Sequence, residues 1–206
     1  MRTKSTTVFT FDELSDTAKD RAREWYRNGA LDYEWWDCSY EDFATIAEIL
    51  GIDLRQRPVK LMNGDTRYDP AIFFSGFSSQ GDGACFEGDY RYSAGSVAKI
   101  KAYAPQDTEL HRIAECLRDI QRRAFYGLTA SISHTGRYSH AYSMSISAEC
   151  ELGDCDEDGI AECLRDFANW MYSRLESEYD YLMSDESVDE SCRANEYEFD
   201  KDGNIE

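Results

Sequence analysis

The spacing of apolar residues switches along the chain between helical and alternating patterns, and the order of these blocks constrains the fold most. Residues 10–51 carry apolar side chains at helical spacing, with Gly29 and Gly51 as helix ends. Residues 56–92 and 128–150 alternate instead, as half-buried strands do. Helices and strands that are grouped in blocks favour an α+β fold with a mainly antiparallel sheet over a doubly wound fold.

We expect a single domain over residues 1–206, with a sheet of about five to six strands and the N-terminal helices and two longer helices packed on it. Its parts are a helical segment at 10–51, a sheet with helices at 56–183 and an acidic segment at 184–206. In chain order, the predicted elements are a helix from residue 10 or 12 to 29, a helix at 33–50, strands at 59–62, 71–77 and 84–92, a helix at 107–127, a hairpin of 128–133 and 140–150, helices at 158–183 and 186–194, and an edge strand at 196–199.

One short sequence occurs twice in the chain. The seven residues at 113–119 recur at 160–166, and both copies lie inside predicted helices. Each copy places its Ile, Ala and Leu on one apolar stripe. Two such matching helices can pack on the same face of the sheet.

The net charge of −19 is distributed unevenly. Residues 151–206 hold 19 Asp and Glu against four Lys and Arg, whereas residues 1–150 hold 22 against 18. Such an excess repels DNA, RNA and anionic membranes, so we expect no direct nucleic-acid or membrane binding. The acidic excess has two plain explanations, which are solubility and adaptation to salt. A third explanation is that it binds a basic surface of a partner.

The chain has no feature of membrane insertion or export. No segment approaches the roughly 20 apolar residues of a membrane span. The apolar stretch from Val8 to Phe11 is shorter than the core of a signal peptide. We therefore expect a cytoplasmic protein, in which the seven cysteines, an odd number without framework spacing, are small buried residues or free thiols.

The segment from Phe73 to Gly88 has the most unusual composition, because two aromatic strands flank Ser-Ser-Gln-Gly-Asp-Gly. One interpretation is a hairpin loop whose glycines take positive φ angles and whose Asp82 closes its own turn. The other is a polar binding loop that presents Gln80 and Asp82 on a rigid hairpin. The Lys and the helix that follow a phosphate-binding P-loop are missing, which excludes that class.

The string FSGFSSQGDGACFEG at 74–88 resembles a family of small phage and prophage proteins. Two further regions are similar to it: FDELSD at 11–16 with AREWY at 22–26, and EYDYLMSDE at 178–186. Members of this family are often labelled as antitoxins of toxin–antitoxin systems, and they occur among genes that phages use against host defences. The resemblance implies a phage context and supplies no catalytic residues.

Two places in the sequence suggest metal ligands. If Ile132 and Tyr142 share the core face of the hairpin, His134 lies opposite His140, where two imidazoles can take part in a metal site. Residues 154–159 match the first half of a calcium loop, but Arg165 stands where the bidentate Glu is needed. The alternatives are a polar end of the sheet and an acidic turn that caps the long helix through Asp156 or Asp158. We therefore predict no metal and no cofactor.

The sequence contains no recognisable catalytic motif. A Gly-x-Ser-x-Gly elbow is missing, Cys85 has no His partner that the sequence reveals, and no carboxylate pair stands out as a glycosidase pair. We therefore expect a binding protein rather than an enzyme. An enzyme or metal protein that uses His134, His140 and the glycine-rich loop is the remaining alternative.

Acidic residues recur at helical spacing near the C-terminus, and few bases lie between them. Like charges one helical turn apart destabilise a helix by roughly a few tenths of a kcal/mol per pair, so a function that needs them is worth considering. The residues of this strip are Glu176, Glu178, Asp180, Asp185, Glu186, Asp189 and Glu190. A solvated acidic surface is the plain alternative.

The leading hypothesis is a phage-encoded inhibitor in the host cytoplasm. Its acidic strip would imitate a nucleic-acid backbone and bind a basic surface of a host defence protein or nucleoprotein complex, such as a CRISPR effector or a restriction enzyme. Exposed aromatic residues between Trp25 and Trp36, or the loop with Gln80 and Asp82, would add specificity. The alternative is an antitoxin-like protein that neutralises a toxin by direct binding.

Overall fold

The computed structural model describes residues 7–153 and 155–206 and has an α+β fold, as the order of blocks predicted. Every strand pair that it describes is antiparallel. The helices are α1 (Asp16–Gly29), α2 (Asp37–Leu50), α3 (Ser96–Tyr103), α4 (Thr108–Arg123), α5 (Glu157–Leu182) and α6 (Asp185–Ala194). The strands are β1 (Phe9–Thr10), β2 (Ile52–Leu54), β3 (Gln56–Lys60), β4 (Thr66–Pro70), β5 (Ile72–Phe74), β6 (Ala84–Phe86), β7 (Gly88–Arg91), β8 (Leu128–His134), β9 (Met144–Cys150) and β10 (Glu198–Phe199).

The chain forms two compact units. The terminal unit consists of residues 1–36 and 176–206, and the central unit consists of residues 37–175. Helix α5 contributes to both, because its last turns lie beyond Leu175. The single domain that we expected from the sequence stays a prediction, since it concerns whether the units fold together.

A four-stranded sheet with the order β2-β7-β8-β9 forms the frame of the central unit. Side chains alternate along β8, with Leu128, Ala130 and Ile132 buried and Thr129 and Ser131 exposed. One face of this sheet therefore packs into the core while the other face is open and polar. The pairs β3-β4 and β5-β6 form separate two-stranded sheets.

Helices α4 and α5 run antiparallel in the central unit. Arg112, near the start of α4, donates to Asp166 at 2.7 Å. Cys116 and Cys163, which occupy the same position in the two copies of the repeat, form a disulfide. The prediction of thiols is wrong for this pair, because Cys is the central residue of each seven-residue copy, and antiparallel packing brings the centres of two matching segments together.

The two ends of the chain build the terminal unit together. Strand β1 pairs with β10, so Phe9 lies opposite Phe199. Their core is a cluster of buried residues from both ends: Phe11, Leu14, Ala18, Ala22, Val188, Cys192 and Phe199. Helix α1 begins at Asp16 because the Ser15 hydroxyl accepts from the backbone N–H of Ala18 at 3.4 Å.

Several predicted boundaries differ from the structure. The segment Phe11–Glu13 is a 3-10 turn rather than the start of an α-helix, and the Glu13 carboxylate accepts from Thr10 N–H at 2.8 Å. The predicted strand at 71–77 contains only Ile72–Phe74, and that at 84–92 divides into two strands. Strands β1, β2 and β4 and helix α3 were missed, because segments of two to eight residues are too short to show a clear period.

Candidate functional site

The seven residues of the acidic strip all lie in the terminal unit, on two helices. Glu176, Glu178 and Asp180 belong to the last turns of α5, and the other four, from Asp185 to Glu190, belong to α6. The Ser184 hydroxyl caps α6 by accepting from Ser187 N–H at 3.2 Å. Asp185 and Glu186 then occupy the first turn of α6, where the helix dipole favours negative charge.

Two carboxylates of the strip bind arginines of α1. The Arg23 guanidinium donates from Nε and Nη2 to the two oxygens of Asp189, at 2.6 and 2.8 Å. Arg27 donates to Asp185 at 2.5 Å and to the carbonyl of Met183 at 2.9 Å. The expectation that few bases offset the strip is therefore wrong for these two acids, because the arginines come from the other end of the chain.

These ion pairs shift the pKa of Asp185 and that of Arg23. The hydrogen bond from Arg27 holds the pKa of Asp185 below its usual range, and the charge of Arg23 acts in the same direction. The hydrogen bond to Asp189 raises the pKa of Arg23. Asp185 and Arg23 are therefore charged at neutral pH, and each belongs to an ion pair that joins α1 to α6.

The other five acids of the strip have no ion-pair or hydrogen-bond partner among residues 7–153 and 155–206. They are Glu176, Glu178, Asp180, Glu186 and Glu190. Glu186 and Glu190 are exposed and stand one helical turn apart, so their side chains leave the same face of α6 about 6 Å apart. The strip thus consists of a paired half, which joins two helices, and an unpaired half, of which Asp180, Glu186 and Glu190 are exposed while the two other acids are half-buried.

The charge of the whole molecule follows the same division. The terminal unit holds 19 acids against eight bases, a net charge of −11. The central unit, which is about twice as long, holds 22 acids against 14 bases. Negative charge is therefore most concentrated in the unit that carries the strip.

The glycine-rich loop uses Asp82 for its own structure. The Asp82 carboxylate accepts from the backbone N–H groups of Ser78 and Ser79, at 3.0 and 2.7 Å. The Tyr172 hydroxyl donates to the carbonyl of Gly76 at 3.1 Å and so fixes the loop to α5 within the central unit. Of the two predicted binding residues, Asp82 closes the turn, and Gln80 is exposed.

The predicted register of the histidine hairpin is wrong. Ile132 pairs with Ile146, and His134 lies opposite Met144 rather than His140. The reason is a 3-10 turn at Ala141–Ser143, which precedes β9 and delays the start of the strand. Among the described residues, no group of three or more His, Cys, Asp or Glu is placed to hold a metal ion.

A contact between a serine and a histidine was missed in the sequence. The Ser143 hydroxyl lies 3.1 Å from His134 Nδ1, and it donates to the His140 carbonyl at 2.7 Å. The hydroxyl rotates and can donate to either group, and the role of His134 Nδ1 depends on its tautomer, so this contact does not by itself identify a nucleophile and its base. The nearby Cys85 is buried, and burial raises the pKa of its thiol to about 11, which disfavours a thiolate nucleophile.

The acidic turn before α5 acts as a helix cap. Asp156 accepts from the backbone N–H of Gly159 at 2.9 Å and from Arg123 at 2.5 Å. This confirms Asp156 as one of the two predicted caps, while Asp154, the first residue of the suggested calcium loop, lies outside the described residues. The cap carboxylate is already occupied by protein donors.

Aromatic residues of the terminal unit line a cavity of about 440 Å³. Its walls are Trp25, Tyr26 and Tyr197, all half-buried, and the end of α1 at 28–30 completes it. The sequence suggested exposed aromatics between Trp25 and Trp36. It gave no sign that Tyr197 joins them, because that contact depends on the pairing of the chain ends.

A second, smaller concavity of about 290 Å³ lies on the open face of the four-stranded sheet. Its lining mixes small hydroxyl residues with charges of both signs, including Asp53, Arg91 and Glu149. This mixture does not select one class of ligand.

No helix in the described part of the chain is long and apolar enough to cross a membrane.

Comparison with curated proteins and with solved structures found no match. One family model matches residues 35–185, which includes the whole central unit and the strip as far as Asp185. The match ends at the first residue of α6 and leaves out α1, so Arg23, Glu186 and the aromatic cavity lie beyond it. Because the model covers most of the chain, the protein belongs to the family described as "Domain of unknown function (DUF8835)".

Proposed function

We propose that this protein is a phage-encoded inhibitor that acts in the host cytoplasm by binding a basic, nucleic-acid-binding surface of a host defence complex. CRISPR effectors and restriction enzymes carry such surfaces. The phage context comes from the sequence resemblance. The observation that carries the proposal is the unpaired half of the acidic strip, which adds uncompensated negative charge to the most acidic unit of the molecule.

The paired half of the strip supports this function by fixing the geometry of the unpaired half. Arg23 and Arg27 hold Asp189 and Asp185 against α1, and this orients α6. Glu186 and Glu190 then stand on a helix that is held in place, and within the described part of the chain they have no hydrogen bond or ion pair to break when they bind. A preorganised set of charges loses less conformational entropy on binding than a flexible acidic tail does.

Charge of this kind acts mainly on encounter. An acidic surface speeds association with a basic partner and makes the association depend on salt. The Debye length falls from about 10 Å at 0.1 M salt to about 3 Å at 1 M, so the attraction is largely screened at high salt. Binding by the strip therefore weakens steeply between these two conditions.

The experiment is a quantitative capture of partners from a host lysate by the tagged protein. The test variant is Glu186→Gln with Glu190→Gln, which removes two unpaired charges of α6. The matched control is Glu41→Gln with Glu48→Gln, which removes two exposed charges from α2 in the central unit. All three proteins are compared at about 0.1 M and about 1 M salt, with and without excess double-stranded DNA.

The expected result is one dominant partner that is lost at high salt, displaced by DNA, and reduced roughly threefold to tenfold by the α6 variant alone. Equal reduction by both variants would mean that net charge, not the strip, determines capture. A partner that is retained at high salt and is not displaced by DNA contradicts the proposal.

A further inference from the structure

The cavity formed by Trp25, Tyr26 and Tyr197, here called the aromatic pocket, combines three features of a site for a cation. Its aromatic walls stand at steep angles to one another. The rings of Trp25 and Tyr197 lie 5.2 Å apart at 87°, and those of Trp25 and Tyr26 lie 6.5 Å apart at 65°. Tyr26 and Tyr197 are 6.3 Å apart at 54°. Three rings in this arrangement enclose a corner rather than a flat stack.

The second feature is the helix end that completes the pocket. Asn28, Gly29 and Ala30 line it, and they are the last residues and the C-cap of α1. The last carbonyl groups of a helix lack intrahelical donors, and the C-terminus of a helix of 14 residues carries partial negative charge. Such an end favours a cation.

The third feature is that no Lys or Arg among residues 7–153 and 155–206 lines the pocket. Arg27 is the base in the last turn of α1, and it binds Asp185 and the Met183 carbonyl instead. The other arginine nearby on α1, Arg23, is held by Asp189. The surrounding terminal unit has a net charge of −11, so an incoming cation meets a favourable field.

We propose that the aromatic pocket binds an arginine side chain of the partner protein. A guanidinium stacks on aromatic faces and is weakly hydrated, so it enters a half-apolar cavity more readily than an ammonium. A volume of about 440 Å³ is sufficient for this side chain. This inference rests on the proposed function for the source of the arginine, and it gives the partner's basic surface a specific anchor beside the long-range attraction of the strip.

The test uses a small probe, so its outcome does not depend on the acidic strip or on knowing the partner. N-acetyl-arginine amide is titrated into the ¹⁵N-labelled protein at high salt, and the indole N–H signal of Trp25 is followed by NMR. The Trp25→Phe variant assigns this signal among the four tryptophans. N-acetyl-citrulline amide, which has nearly the same shape but no charge, is the matched probe.

We expect saturable binding of the arginine probe with a dissociation constant in roughly the millimolar range and clearly weaker binding of the citrulline probe. Tyr197→Leu should weaken arginine binding by about 2- to 30-fold, whereas Tyr197→Phe, which keeps the aromatic face, should bind as the wild type does. Tyr26→Leu provides a second test if Tyr197→Leu does not fold.

Equal binding of both probes, no saturable binding of arginine, or equal effects of Tyr197→Leu and Tyr197→Phe in folded protein would overturn the proposal. If the arginine probe binds but Glu186→Gln with Glu190→Gln does not reduce partner capture, the proposal for the pocket is supported and the proposed role of the strip is wrong. If the α6 variant reduces partner capture but the arginine probe does not bind, the proposed role of the strip is supported and the proposal for the pocket is wrong.

Discussion

Replacing Asp189 by Asn should destabilise the terminal unit, because this carboxylate accepts both hydrogen bonds that join Arg23 of α1 to α6. The two distances are 2.6 and 2.8 Å, and both side chains are only 17% exposed. Exposed ion pairs contribute about 0–1 kcal/mol, whereas hydrogen bonds to charged groups with little solvent access contribute about 1.5–3 kcal/mol. Asp20, 2.9 Å from Arg23, partly compensates for the loss.

The expected decrease in the free energy of unfolding is therefore about 2 kcal/mol, which lowers Tm by roughly 4–8 °C in a chain of this size. Urea unfolding followed by circular dichroism, together with thermal unfolding, measures it. The matched control is Glu190→Gln, which changes the neighbouring residue by the same charge. Glu190 is exposed and belongs to the unpaired half, so its effect should stay within about 0.5 kcal/mol. Equal effects of the two variants would refute the division of the strip into a paired and an unpaired half.

Three further predictions concern the frame that holds these surfaces. Cys116→Ser removes a disulfide that closes 47 residues of chain, and the loop-entropy relation predicts a loss of about 4 kcal/mol; adding a reductant should reproduce this loss in the wild type and leave the variant unchanged. Burial raises the pKa of Asp107, but the hydrogen bond from Leu110 N–H and those from two side chains outweigh it and lower the pKa overall. Its contribution is therefore present above the ordinary Asp pKa of about 3.9 and is lost as the pH falls through the lowered value, so Asp107→Asn should flatten the acid limb of the stability curve. Gly203 has a φ of +85°, and a Cβ there would lie 2.1 Å from the Ala18 carbonyl oxygen. Gly203→Ala should therefore lower the free energy of unfolding of the terminal unit by more than about 2 kcal/mol, as measured by urea unfolding.

The parts of the fold that depend on local patterns were predictable from the sequence. The long helix α5 begins within one residue of its predicted start, and α4 begins within one residue of its own, where Asp107 accepts from Leu110 N–H at 2.9 Å. Helical periodicity and capping residues act over a few positions, so one sequence is enough to recognise them. The hairpin of β8 and β9 was also predicted, but the predicted pairing of its residues was wrong. A 3-10 turn has no distinct period that the sequence would show. Its presence makes His134 pair with Met144, four residues further along the chain than the predicted partner His140.

Contacts between distant parts of the chain were not predictable. The sequence shows seven acids near the C-terminus, but not that Arg23 and Arg27 neutralise two of them. It shows Trp25 and Tyr26 on α1, but not that Tyr197 joins them as a third wall. Both depend on the pairing of β1 with β10, which brings the two ends of the chain together. The disulfide belongs to the same class, since only the packing of the repeated helices reveals it.

The affinity of the purified partner, measured as a function of salt for three proteins, tests the central claim most directly. These are the wild type, Glu186→Gln with Glu190→Gln, and the control Glu41→Gln with Glu48→Gln. The account predicts a steep loss of affinity with salt in the wild type and the control, and a shallower slope with weaker low-salt binding in the α6 variant. Identical slopes for all three proteins, or an affinity that does not change with salt, would contradict the claim that the unpaired carboxylates of α6 bind a basic surface.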